Sequence, residues 1–252
     1  MSRIAVATAA AVAVLALVLM VPSARAQEAP PPPAVPAPEP LGPERFAPEI
    51  AHFAELDASA PAPACPVLFV GSSSIRFWRT LDVDMAPFTV LNRGLGGARI
   101  SDVNFYFDQV VAPYAPRAIV FYAGENDLWA GEPVEGVVAD FQRFMEMKTA
   151  RLGETPVYFL SLKPSKLRLA QLPLQAEVNQ RVKAMTASRR DLRFVDVTQV
   201  MMDQGAPKDI YVPDGLHMTP AGYALWTEVV RPVVAAATED FACPAPAMKA
   251  TP

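Results

Sequence analysis

Asp214-Gly215-Leu216-His217 sets a carboxylate three residues ahead of an imidazole, where a helical pattern begins. At that spacing the two side chains share a face. The carboxylate can then accept from Nδ1, fix the tautomer and leave Nε2 as a base. The chain has two histidines. The other, His52, lies in an N-terminal helical stretch apart from the polar turns and reads as structural. A base of this kind needs a nucleophile, and Gly71-Ser72-Ser73-Ser74 offers three serines at a strand-to-helix turn. There the helix N-terminus favours nearby negative charge. Serine also caps helices well, but a cap needs one serine rather than three. Acyl transfer further requires donors aimed at a developing oxyanion, each worth about 10²–10³ in rate. Gly97, in Gly94-Leu95-Gly96-Gly97, and Asn126, in Gly124-Glu125-Asn126-Asp127, are the candidates. Glu125 and Asp127 flank Asn126 and are expected to hold its turn rather than to act in acid–base chemistry.

These four turns must be positioned by regular elements. Apolar runs at Val67 to Val70, Thr89 to Leu91, Ala118 to Tyr122, Val157 to Leu160 and Arg193 to Val195 have the length and composition of buried strands. Helical patterns follow them at Ile75 to Leu81, Ile100 to Val111, Val134 to Arg151, Leu172 to Ala187 and Pro220 to Ala237, and Glu44 to Leu56 precedes them as an added helix. Alternation of this kind gives right-handed βαβ units around a parallel sheet, so the expectation is one doubly wound α/β domain without internal repeats. Ligands of such sheets bind beyond the carboxyl ends of the strands. The serine, glycine and asparagine turns follow the first three strands, at those ends.

The four blocks, in this order and spacing, resemble those of the SGNH/GDSL hydrolases over about residues 65 to 235. The resemblance implies a three-layer α/β/α, flavodoxin-like fold with a five-stranded parallel sheet, and esterase or lipase chemistry needing no metal and no cofactor. It places the nucleophile on Ser73, the acid and base on Asp214 and His217, and the oxyanion donors on the Ser73 and Gly97 backbones and the Asn126 side chain. The acidic residue usual before the nucleophile is replaced by Ser72, which resembles a GSSS subgroup. Substrates expected on this basis are short acyl or lysophospholipid-type esters, with carbohydrate O-acetyl esters of cell walls or polysaccharides as the alternative. A non-catalytic envelope binding module is the reading from outside the enzymes, and it has no need of Asp214, His217 and Asn126 together. Trp78, Tyr122 and Trp129, close to these turns, are expected to line an acyl or sugar pocket, and Trp226 to lie in the core. Lys163 and Arg168, after the fourth strand, are expected to be solvated loop residues, a rim contacting a polar or anionic substrate being the alternative.

Composition narrows the remaining possibilities. The 252 residues are 52% hydrophobic and 19% charged, so most of the chain can form a packed core. A net charge of −4 leaves no basic footprint for nucleic acid. Two histidines and two cysteines cannot build a zinc site of three or four ligands without carboxylates. Arg3, the apolar run Ile4 to Val21 and Ala24-Arg25-Ala26 have the order of a secretory signal peptide cleaved after Ala26; an uncleaved anchor is the alternative. The mature protein is therefore expected in the periplasm or medium, with no membrane span. Residues 27–48, with nine prolines, read as an extended linker, residues 49–243 as the hydrolase domain and 244–252 as a loose tail. In an oxidising compartment, Cys65 and Cys243 are expected to bridge the two ends of the domain.

Overall fold

Five short, largely apolar segments form strands, Val67–Gly71 (β1), Val90–Gly94 (β2), Ala118–Tyr122 (β3), Val157–Leu160 (β4) and Leu192–Val195 (β5), and β1, β3 and β4 are buried on both faces along their whole length. The computed structural model describes residues 42–243. The strands form one parallel sheet in the order β2-β1-β3-β4-β5. The chain thus builds outward from β1 to β2, returns to the other side of β1 with β3, and continues outward. That reversal is the switch point at which doubly wound sheets open a crevice.

Because side chains alternate along a strand, the sheet feeds two separate cores. Leu68, Val70, Ile119, Phe121 and Phe159 point to one side. There they meet Ala47–Ser59 (α1), Ile100–Phe105 (α4), Phe107–Val110 (α5), Val134–Leu152 (α7) and Leu172–Met185 (α8). Val67, Phe69, Val120, Tyr122 and Leu160 point to the other. That side is closed by Ser73–Arg76 (α2), Leu81–Asp84 (α3), Thr198–Met201 (α9) and the 21-residue Pro220–Asp240 (α10). The result is the expected three-layer α/β/α sandwich. Aromatic rings fix the first core: Phe121, Phe141, Phe144 and Phe159 pack with centroids 4.5–6.1 Å apart, the range in which ring pairs attract. Glu125–Trp129 (α6) and a small antiparallel pair, Met202–Asp203 (β6) with Ala206–Pro207 (β7), complete the described elements.

Three boundaries differ from the sequence reading. The helix expected from Ile75 is two short helices, since Phe77 to Thr80 leave helical geometry, and the one expected from Ile100 breaks at Tyr106. Regular structure is also present within the stretch expected to be linker up to residue 48. Pro43–Phe46 is a 3₁₀ turn, held because Phe46 is buried in the first core and Arg45 pairs with Asp102 at 2.5 Å. The signal segment, its cleavage point, most of the proline-rich stretch and the tail lie outside the described residues. No described helix is long and apolar enough to cross a membrane. Cys65, just before β1, is bonded to Cys243, just after α10.

Candidate active site

Gly71 ends β1 with φ +137°, and a Cβ there would sit 1.9 Å from the Tyr122 carbonyl oxygen. Only glycine permits this approach. It lets the Ser72 N–H donate to that same oxygen at 2.8 Å, so the chain turns sharply off the sheet. Ser73 is the first residue of α2 and is 5% exposed. Its Oγ lies 3.0 Å from His217 Nε2. Ser72 and Ser74 are buried, and the Ser72 hydroxyl has no partner among the described residues.

The His217 turn is organised by one carboxylate. Asp214 Oδ1 accepts from the backbone N–H groups of Leu216 at 2.8 Å and His217 at 2.9 Å, while Oδ2 lies 2.6 Å from His217 Nδ1. An acceptor at Nδ1 calls for a proton there, leaving Nε2 free to accept from the Ser73 hydroxyl. Burial alone would raise the Asp214 pKa, but the ring and the two N–H donors outweigh it and hold it below the usual value. The Phe77 ring meets the imidazole edge-on, with centroids 5.0 Å apart.

Gly97 adopts φ +80° on an exposed turn, with nothing within 4 Å of where a side chain would stand. The Leu95 N–H donates to the Gly71 carbonyl at 2.8 Å, tying this turn to the end of β1. Neither the Ser73 nor the Gly97 N–H has an acceptor among the described residues. Asn126, the second residue of α6, donates from Nδ2 to the Ala98 carbonyl at 3.0 Å. Asp127 Oδ1 accepts from the Ile100 N–H at 2.9 Å. Glycine turn and asparagine turn are therefore bonded to each other twice. Burial raises the Asp127 carboxyl to about 7; the Ile100 N–H opposes that shift only in part, and Asp140 and Asp102 add to it.

All five residues expected to carry chemistry, Ser73, Gly97, Asn126, Asp214 and His217, thus sit on turns at one end of the sheet. The expected pocket residues do not behave alike. Trp78 and Tyr122 are 1% and 0% exposed. Trp78 packs against Phe69, Tyr223 and Trp226 and borders the cleft beside α1, whereas Tyr122 gives its hydroxyl to Glu125. Trp129 is partly exposed, its ring under the Arg168 guanidinium at 5.2 Å. Trp226 is core, as expected. His52 is exposed on α1, near Glu55, rather than packed as a structural histidine.

Lys163 and Arg168 overturn the expectation of loop solvation: they are 0% and 5% exposed. Both pair with the buried Glu125, Lys163 at 3.3 Å and Arg168 at 3.2 Å. Burial works against the Glu125 charge, but the two cations and the Tyr122 hydroxyl outweigh it and keep the pKa below the ordinary value. Nothing in the local sequence signals this cluster or Phe77, because Lys163 and Arg168 stand 38 and 43 residues from Glu125.

Comparison with known proteins gives the same architecture. A GDSL-like lipase from Bacteroides thetaiotaomicron superposes with a TM-score of 0.62 at 20% identity, covering 75% of this chain and 98% of that one. A carbohydrate esterase family 3 protein from Talaromyces cellulolyticus gives 0.56 at 14%, covering 71% and 100%. A catalytic mutant of an acetylxylan esterase from Geobacillus stearothermophilus gives 0.56 at 13%, covering 69% and 96%. No curated protein matches the sequence. The family model of the GDSL-like lipases and acylhydrolases matches residues 70–225, from the end of β1 into α10. That span holds the serine, glycine, asparagine and histidine turns, so the chain belongs to the GDSL-like lipase/acylhydrolase family and is an ester hydrolase.

Proposed function

We propose that the protein is an exported serine esterase acting on short acyl or lysophospholipid-type esters. The observation that carries this reading is the chain of contacts from Ser73 Oγ through His217 to Asp214, at 3.0 and 2.6 Å. His217 Nε2 takes the hydroxyl proton as Ser73 Oγ attacks the ester carbonyl carbon. The Ser73 N–H, the Gly97 N–H and Asn126 Nδ2 hold the resulting oxyanion, and Asp214 stabilises the imidazolium. His217 returns the proton to the departing alcohol. It then activates the water that releases the acyl group and restores Ser73. Export is supported by the Cys65–Cys243 bond, which persists in an oxidising compartment.

A second reading, a carbohydrate O-acetyl esterase, is favoured by the two neighbours named as a carbohydrate esterase and an acetylxylan esterase. Turnover of p-nitrophenyl esters of rising chain length, measured beside acetate release from acetylated xylan and peptidoglycan, separates the two. The proposed chemistry predicts loss of turnover in Ser73→Ala and His217→Ala, and fluorophosphonate labelling of the unmutated protein but not of Ser73→Ala. Undiminished turnover in both variants overturns the assignment. Absence of both labelling and turnover in the unmutated protein leaves a binding module.

A further inference from the structure

An oxyanion donor built from an asparagine amide has a weakness that a backbone N–H lacks. Rotating the amide by half a turn puts its oxygen where its nitrogen should be and turns a donor into an acceptor. Asn126 is held against that rotation at both atoms. Nδ2 gives one hydrogen to the Ala98 carbonyl at 3.0 Å, and its other hydrogen has no acceptor among the described residues. Oδ1 accepts from Arg168 Nη2 at 2.8 Å. A guanidinium can only donate, so the amide oxygen must face it. Its charge also draws electron density through the amide toward Oδ1, which makes the Nδ2 hydrogens stronger donors.

The guanidinium is itself fixed. Arg168 Nη1 donates to Glu125 Oε1 at 3.2 Å, and the group lies over the Trp129 ring. Glu125 in turn holds Lys163, whose Nζ donates at 3.0 Å to the carbonyl of Leu216, the residue before His217. One buried carboxylate therefore anchors two cations, one reaching the Asn126 amide and the other the backbone of the His217 turn.

We propose that Arg168 is a positioning residue that fixes the sense of the Asn126 amide and polarises it, so that its unengaged N–H is ready for the oxyanion. This rests on the reading of Asn126 as an oxyanion donor. Its role is exerted in the transition state, so it shows in kcat rather than in KM.

The test is steady-state kinetics of the full-chain protein on p-nitrophenyl acetate for Arg168→Met, Arg168→Lys, Asn126→Ala and the double variant Arg168→Met/Asn126→Ala, with thermal melts on each. Asn126→Ala is expected to lose about 10²–10³ in kcat. Arg168→Met is expected to lose roughly 10- to 100-fold with KM within about threefold, and the double variant to be no slower than Asn126→Ala alone. Arg168→Lys keeps a cation beside Glu125 and so protects the fold. A single ammonium lacks the fork that serves Glu125 and Asn126 together, so it too should lose kcat; if Arg168→Met does not fold, this variant decides. Arg168 variants that keep kcat within twofold overturn the proposal, as does a double variant whose loss is the product of the single losses. If Asn126→Ala keeps full kcat while Ser73→Ala loses it, the oxyanion role of Asn126 has failed. If Ser73→Ala keeps it, the esterase reading itself has failed.

Discussion

The ring of Phe77 stands edge-on to the imidazole of His217, 79° between planes. Phe77 leaves α2 four residues after Ser73, so the segment that presents the proposed nucleophile also braces its proposed base. An aromatic contact of this kind contributes about 0.5–1.5 kcal/mol. Phe77→Ala should therefore slow p-nitrophenyl acetate turnover by about 2- to 10-fold, while Phe77→Tyr keeps the rate. Equal rates in both variants would show that Asp214 alone orients the ring.

The three serines of the first turn separate by their partners. Ser73→Ala removes the only one bonded to His217 and should cost on the order of 10⁴ or more in kcat. Ser72 carries a buried hydroxyl with no partner among the described residues, and an unmet buried polar group costs about 1–3 kcal/mol. Ser72→Ala should leave kcat within about threefold and hold or raise the melting temperature. A collapse of activity in Ser72→Ala with Ser73→Ala active would move the nucleophile by one residue.

Asp127 makes stability fall with alkalinity. Its carboxyl moves from 3.8 in the open chain to about 7 in the fold, chiefly through burial. Between those values the folded chain keeps a proton that the unfolded chain has released. The stabilisation is therefore complete below 3.8 and lost as pH rises toward about 7. Asp127→Asn keeps the acceptor for the Ile100 N–H and removes the titration. Near pH 8 it should be more stable than the parent by on the order of 2–4 kcal/mol in urea unfolding, the two converging at acid pH. Parallel pH curves would refute this.

The disulfide should govern stability without touching chemistry. It closes a span of 178 residues, for which chain-entropy reasoning gives about 5 kcal/mol. Cys65 precedes β1, whereas Ser73 follows it, so the bond and the proposed nucleophile lie at opposite ends of that strand. Reduction, or Cys65→Ser with Cys243→Ser, should lower the urea midpoint clearly and leave kcat at 25 °C unchanged. A matching fall in kcat would mean that the two ends of β1 are coupled.

Local pattern was enough where a segment's own composition decides its state. The strands Ala118–Tyr122 and Val157–Leu160 were legible to the residue, because continuous apolar runs of that length can only be buried on both faces. The turns that bring Ser73, Gly97, Asn126, Asp214 and His217 to one end of the sheet were legible for a related reason: each is short and of distinctive composition. Phe77 and the cluster of Glu125, Lys163 and Arg168 were not. A lysine and an arginine among prolines and leucines look solvated until the fold sets an acid from another turn against them. Burial was not legible either: Tyr122 stands beside a candidate turn in sequence, yet its ring turns inward against Trp226.

The bond between Cys65 and Cys243 encloses every strand of the sheet and the helices from α2 to α10. In covalent terms residues 65–243 form one closed loop. A single peptide cut anywhere between the cysteines opens that loop without dividing the molecule, and the pieces part only on reduction. A cut in the exposed turn at Gln204 and Gly205 would therefore leave both parts of the sheet joined through the disulfide.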